Sequence, residues 1–200
     1  MNRLFVFFII IALSAMTSCA EKTLQRTGFL STYARLGSTP EGNLRYINRD
    51  RLGSYSKFII EPVVFRLYNV PVGKRPDTRT RTELSNYMHQ AIVKAIQERY
   101  TVVSQPAPQV ARVRVAITDI DKSVSSLNVL PASKLSGIGL GGVSMEAEVV
   151  DTITGEQIGA VIQSKKGKRV SAAGLNEWGD AQAVMDEWAQ RFRKLLDETH

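Results

Sequence analysis

Apolar residues recur along this chain in two rhythms. Leu84, Met88, Ala91, Ile92, Ala95 and Ile96 follow steps of three and four, which places them on one face of a helix. Thr80 followed by Glu83 reads as the capping box that starts it. Ala181, Val184, Met185, Trp188, Phe192, Leu195 and Leu196 repeat the pattern in a last helix that runs to about Asp197, with Asn176 as its cap. Elsewhere the period is that of strands. Phe58, Ile59, Ile60, Val63, Val64, Phe65 and Leu67 make a near-continuous run within Lys57–Asn69, expected of a strand central in its sheet or covered on both faces. Pro62 has no N–H, so a bulge or an edge is expected there. Tyr100–Ser104 reads as a short strand. In Val110–Ile120, Val113, Val115 and Ile117 alternate with Arg112, Arg114 and Thr118, the mark of a half-buried strand. Val143–Val150 and Gln157–Ser164 flank the turn Asp151–Glu156, whose Gly155 suits a positive φ, and together they read as a hairpin. Nearer the start, Phe29, Leu30, Tyr33 and Leu36 could line one face of a short helical turn. Leu44–Ile47 reads as a short extended piece, and 50–56 as a polar stretch.

The order strand, helix, four strands, helix predicts an α/β (α+β) domain. It would hold a single mixed or antiparallel sheet of about five strands, with two helices packed on one face.

The first residues follow a different logic. Arg3 precedes an unbroken apolar run, Leu4–Leu13, and then Ser14-Ala15-Met16-Thr17-Ser18-Cys19-Ala20. A charged start, a short apolar run and a small-residue junction make an export signal. The run is too short to span a bilayer, which takes about 20 apolar residues. Cys19 is the one cysteine of the chain, and its setting resembles the lipobox of bacterial lipoproteins, with Met16 where leucine is usual. That resemblance implies cleavage before Cys19, acylation of its thiol and its new amino group, and anchoring in a membrane. Proteins of that kind stay in the inner membrane mainly through an aspartate after the cysteine. Ala20 stands there instead, which implies the inner leaflet of an outer membrane, facing the periplasm. Ordinary cleavage after Ala20 is the alternative, and would release a soluble periplasmic protein. The expected organisation is a signal over 1–18, a lipidated tether over 19–27 and a single domain over 28–200, with no cofactor beyond the covalent lipid on Cys19.

Charge narrows the partners. The chain has 26 Lys and Arg against 19 Asp and Glu, a net charge of +7. A basic chain often meets nucleic acid, but an exported one meets anionic lipid headgroups, acidic polymers or an acidic protein instead. Lys74, Arg75, Arg79 and Arg81 lie before the first helix, and Lys165, Lys166, Lys168 and Arg169 follow the hairpin. Folded to one side, these clusters would make a patch for an anion or a partner. Apart, they are a solvated surface.

Catalytic sets are sparse. His89 falls at the edge of the first helix's apolar stripe, and His200, at the end of the sequence, is expected to fray. No second histidine and no further cysteine stand near His89, so neither a metal site nor a nucleophile with its base is expected. Glu146 and Glu148, two apart on a strand, share a face. The expectation is a solvated face, and the alternative is an acid–base pair. The glycines of 137–142 lead into a strand, not a helix, and so lack the setting of a phosphate-binding loop. Trp188 belongs to a core face, while Trp178 is expected at the core's edge or on a contact surface.

Several short motifs, in order, carry a wider resemblance: Gly28-Phe29-Leu30 with Tyr33, Leu44-Arg45-Tyr46, Tyr55–Val63, Gly142–Glu148 with Asp151, Thr154-Gly155-Glu156, Trp178-Gly179-Asp180-Ala181, and Trp188-Ala189. In these the chain resembles DUF3313, a family of bacterial lipoproteins of unknown function. The resemblance implies localisation and fold but no reaction. The element order is also similar to that of envelope lipoproteins that serve as adaptors. The sequence therefore predicts a non-enzymatic, membrane-anchored adaptor or accessory protein with an envelope protein as partner and no nucleic acid. A binding module for anionic lipid or cell-wall polymer is the second reading. A hydrolase using His89 or the two glutamates is the third.

Overall fold

A computed structural model describes residues 24–68, 70–123, 141–167 and 177–200. Their elements are β1 (Gly37–Ser38), β2 (Leu44–Ile47), α1 (Arg49–Leu52), β3 (Lys57–Ile60), β4 (Val64–Phe65), a 3-10 turn (Val72–Lys74), α2 (Thr78–Ile96), β5 (Thr101–Val102), β6 (Val110–Asp121), β7 (Gly142–Asp151), β8 (Gln157–Lys166) and α3 (Gly179–Thr199). The strands form one mixed sheet of eight in the order β1-β2-β8-β7-β6-β3-β5, with β4 also paired to β6. Pairing is antiparallel from β1 to β6 and parallel among β6, β3, β4 and β5. Parallel strands need a crossover, and α2 supplies it.

The α+β class is as predicted, and the five strands and two helices are an undercount. The missing strands, β1, β2 and β4, span two to four residues, too few to show a period. Pro62 splits the predicted long strand into β3 and β4, and β3 lies one strand from an edge. The stretch read as polar over 50–56 begins inside a helix: Asn48 caps α1 by accepting from the Arg51 N–H, and Leu52 is buried. The 28–36 segment is not a helical turn: it runs irregularly over the sheet. Helix α2 starts two residues before the expected capping box. Asp77, not Thr80, is its cap, accepting the Thr80 N–H at 2.8 Å, and Glu83 pairs with Arg79 instead. The hairpin of β7 and β8 stands as read, with Gly155 at φ +70°. Asn176 lies outside the described residues, and α3 begins after Trp178, over whose ring the Lys122 ammonium sits at 5.3 Å.

One core fills the space between the sheet and the helices. It joins Leu84, Met88, Ile92 and Ile96 of α2 and Met185, Trp188 and Leu196 of α3 to Phe58, Val113, Val115 and Met145 of the sheet. The two helices run the same way, tied by Tyr87 to Asp186 at 2.7 Å, Tyr100 to Asp197 at 3.0 Å, and Arg193 to the Ala95 carbonyl at 2.8 Å. Gly53 lets α1 close on the end of α3, since a Cβ there would stand 2.2 Å from the Thr199 carbonyl oxygen. At the other end, fully buried Asp180 accepts from the Ser123 hydroxyl at 2.8 Å and the Gly141 N–H at 3.0 Å, gathering the ends of β6 and β7 beneath the start of α3.

Candidate functional site

Strand periodicity sends Glu146 and Glu148 to the face of β7 away from the helices, as expected. The expectation of a solvated face is wrong: the two residues are 0 and 1% exposed. The chain that follows residue 24 covers them. Leu30 packs with Ala160 and Ile162, and Leu24, Phe29, Tyr33, Leu36 and Leu44 surround that small second core. Leu24 and Thr27, at the end of the predicted tether, therefore already lie on the sheet.

The cover is fastened by the carboxylates. Glu146 accepts the Thr27 N–H at one oxygen and the Tyr33 hydroxyl at the other, both at 2.6 Å. Burial, and then the bond to Glu146, hold the Tyr33 hydroxyl above its ordinary pKa. One oxygen of Glu148 accepts the Ser31 N–H at 2.9 Å, the Ser31 hydroxyl at 2.8 Å and the Gln157 amide at 2.9 Å. Its other oxygen takes the Arg114 guanidinium. Arg114 also reaches Glu61 at 3.5 Å and lies 4.9 Å over the Phe29 ring, while Arg112 pairs with Glu61 at 3.3 Å. Arg35 closes the edge, donating to the Tyr46 hydroxyl at 2.9 Å and the Gln157 carbonyl at 3.1 Å.

Buried carboxylates are stable only when paired and hydrogen-bonded. Here all four oxygens accept, so the arrangement supplies the donors that burial demands. A substrate could reach the pair only by displacing 27–33. Val149 pairs with Gly159 and Val150 with Gln157, so Ile158 is an extra residue in β8, and this shift turns Gln157 to this face while Val161 and Gln163 face the helices. Period-two spacing alone could pair the glutamates. Their burial depends on residues more than 110 positions away in sequence.

The remaining candidates are scattered. His89 packs on the helix side, its Nε2 3.2 Å from the Ile60 carbonyl, so the sheet separates it from the glutamates. His200 is not frayed: its ring nitrogens lie 2.7 Å from the Leu196 carbonyl and 2.9 Å from that of Tyr55, and its ring meets Tyr100 edge-on. Among the described residues no group of three or more His, Cys, Asp or Glu could hold a metal ion. The basic clusters fall at the end of the sheet where α2 and α3 start, and each engages its own neighbours. Arg75 donates to the Val70 carbonyl, Arg79 pairs with Glu83, Arg81 donates to Thr78 and Lys165 pairs with Glu187. Lys166 is exposed, and Lys74 lies in the 3-10 turn. Lys168, Arg169, Cys19 and most of the glycine-rich run lie outside the described residues. No helix of the described residues is long and apolar enough to cross a membrane.

The fold has relatives among solved structures. The PelC dodecamer from Paraburkholderia phytofirmans is similar with a TM-score of 0.50 at 10% identity, over 77% of this chain and 95% of that one. Looser likenesses are to the hypothetical protein CT253 from Chlamydia trachomatis, with a TM-score of 0.46 at 11% identity over 71% and 98% of the two chains, and to lipoprotein GNA1162 from Neisseria meningitidis, with 0.34 at 12% over 60% and 87%. At such identities the likeness is one of fold. No curated protein sequence matches the chain. Residues 25–192 match the family described as "Protein of unknown function (DUF3313)", from the segment that covers the glutamates to the middle of α3, and the chain belongs to that family.

Proposed function

We propose that this protein is a lipid-anchored, non-enzymatic component of the bacterial envelope, held on the periplasmic side of the outer membrane through Cys19, and that it acts as an adaptor or accessory to another envelope protein. The observation that carries the reading is the use made of Glu146 and Glu148. The chain's best-placed acid–base pair is committed to holding the segment that leads back to Cys19. The stretch from Cys19 to Thr27 reaches at most roughly 28 Å when extended. A lipid at Cys19 would thus keep the sheet close to the membrane. With three acyl chains, release into water would be negligible, since each buried methylene contributes about 0.8 kcal/mol.

Photo-crosslinking in intact cells tests this reading. A photoreactive residue in place of Tyr68 or Val72, both exposed, is expected to give a discrete protein adduct that disappears with Cys19→Ala. Adducts identical with and without Cys19, or none from any exposed position, would contradict it.

A further inference from the structure

The helices leave one flank of their side of the sheet open. Between α3 and strands β2 and β8 lies a cavity of about 320 Å³, at the lower end of the range of ligand pockets. Ile47, Ala147, Val149, Val161, Phe192 and Leu195 wall it, and Met88, Val113 and Trp188 close its depth. Gln163 is its polar wall residue. The mouth is cationic. Arg45 of β2 and Arg49 of α1 stand on one lip, and Arg191 and Lys194 of α3 on the other. Three carboxylates temper that charge: Glu198 lies 3.7 Å from Arg49 and 3.8 Å from Lys194, Glu187 lies 2.7 Å from Arg191 and also holds Lys165, and exposed Glu41 feels both Arg45 and Arg191. A positive surplus remains over an apolar shaft.

We infer that this groove binds a single-chain fatty carboxylate, with its chain along the shaft and its head among Arg45, Arg49, Arg191 and Lys194. An apolar interior with a charged rim selects an amphiphile, and the sign of the rim selects an anion. A cavity at the lower end of the ligand-pocket range suits one medium-length chain better than a two-chain lipid. The cavity reaches buried core residues Met88, Val113 and Trp188, so it suits an inserted apolar chain better than a helix laid on the surface. The site is on the face opposite the glutamates and is independent of the anchoring proposed above.

The test uses the full-length chain with Cys19→Ala, so that no covalent acyl chain competes, and Trp178→Phe, so that Trp188 reports alone. Dodecanoate, titrated below its micelle concentration, is expected to bind one to one and to change Trp188 fluorescence. Shortening the chain to octanoate should weaken binding about four-fold per methylene. Dodecyltrimethylammonium should bind at least ten-fold more weakly. Val161→Phe, which fills the shaft, should abolish binding. Arg45→Glu with Arg191→Glu, both at exposed positions, should weaken it at least ten-fold while leaving the melting temperature in place. Absence of saturable dodecanoate binding, equal affinity for the cationic analogue, or binding unchanged in these variants would overturn the inference.

Discussion

Glu148→Ala is expected to cost about 3–5 kcal/mol of stability and to release residues 27–33 from the sheet. The side chain is 1% exposed and accepts from Ser31 twice, from Gln157 and from Arg114. Removing it strands these donors and leaves Arg114 with Glu61 alone. Breaking one partner of such a pair costs more than the pair contributed, because the buried Gln157 amide loses this acceptor while Arg114 keeps only the longer pair with Glu61. For a chain of this size the melting temperature should fall by on the order of 10 °C. Trypsin should then cut early at Arg35, whose guanidinium is engaged in the wild type. Glu148→Gln keeps the shape but loses the charge facing Arg114, and should fall between the two. An acid–base residue at an active site would behave in the opposite way, since replacing it commonly leaves stability unchanged or raised. A variant as stable and as trypsin-resistant as the wild type would remove the structural role assigned to this carboxylate.

A second large effect is expected from the Tyr55 and Asp151 pair, and it depends on pH. The buried Tyr55 hydroxyl donates to Asp151 at 2.6 Å, and the other Asp151 oxygen accepts the Ile153 and Thr154 N–H groups of the hairpin turn at 2.8 and 2.7 Å. The Tyr55 bond, with those of the turn, draws the Asp151 pKa down to about 2 from 3.8. A depressed carboxylate stabilises the fold above its unfolded pKa, and that stabilisation is lost as pH falls from about 4 toward 2. It amounts to about 2 kcal/mol. Burial, and then the bond to Asp151, push Tyr55 from 10.0 up to about 12. A raised phenol stabilises the fold below pH 10 and ceases to do so as pH climbs from 10 to 12. The two shifts describe one bond from both ends and are not additive. Tyr55→Phe should therefore destabilise by about 1.5–3 kcal/mol at neutral pH, as for a hydrogen bond to a charged group. The difference from wild type should shrink at both extremes. Denaturant unfolding between pH 2 and 11 measures it, and a difference constant across that range would show that the bond does not form.

How much of this was legible follows from where each signal is stored. Strands β6, β7 and β8 carry their pattern in ten or twelve consecutive residues, and α2 and α3 carry theirs over 19 and 21, so local periodicity finds them. Strands β1, β2 and β4 take their conformation from the neighbours they pair with, and two to four residues hold no period, whereas β5 was legible from its β-rich residues and the prolines that follow it. Helix α1 is short and charged, and its evidence in the sequence reduces to Asn48 and Leu52. The two glutamates show why a site is harder than a fold. Alternation placed them on one face, yet only Thr27, Ser31 and Tyr33, remote in sequence, decide that the face is dry. The cations of the groove come from β2, α1 and α3, and no cluster in the sequence announces them. The clusters that did stand out, around Lys74 and Lys165, engage their own neighbours.

Anchoring through Cys19 can be read from the intact mass of the protein purified from envelopes, wild type beside Cys19→Ala. The expected product is a mature chain beginning at Cys19 and heavier than its sequence by several acyl groups, with that added mass absent from the variant. A lipid-free chain beginning at Glu21 in both would contradict it.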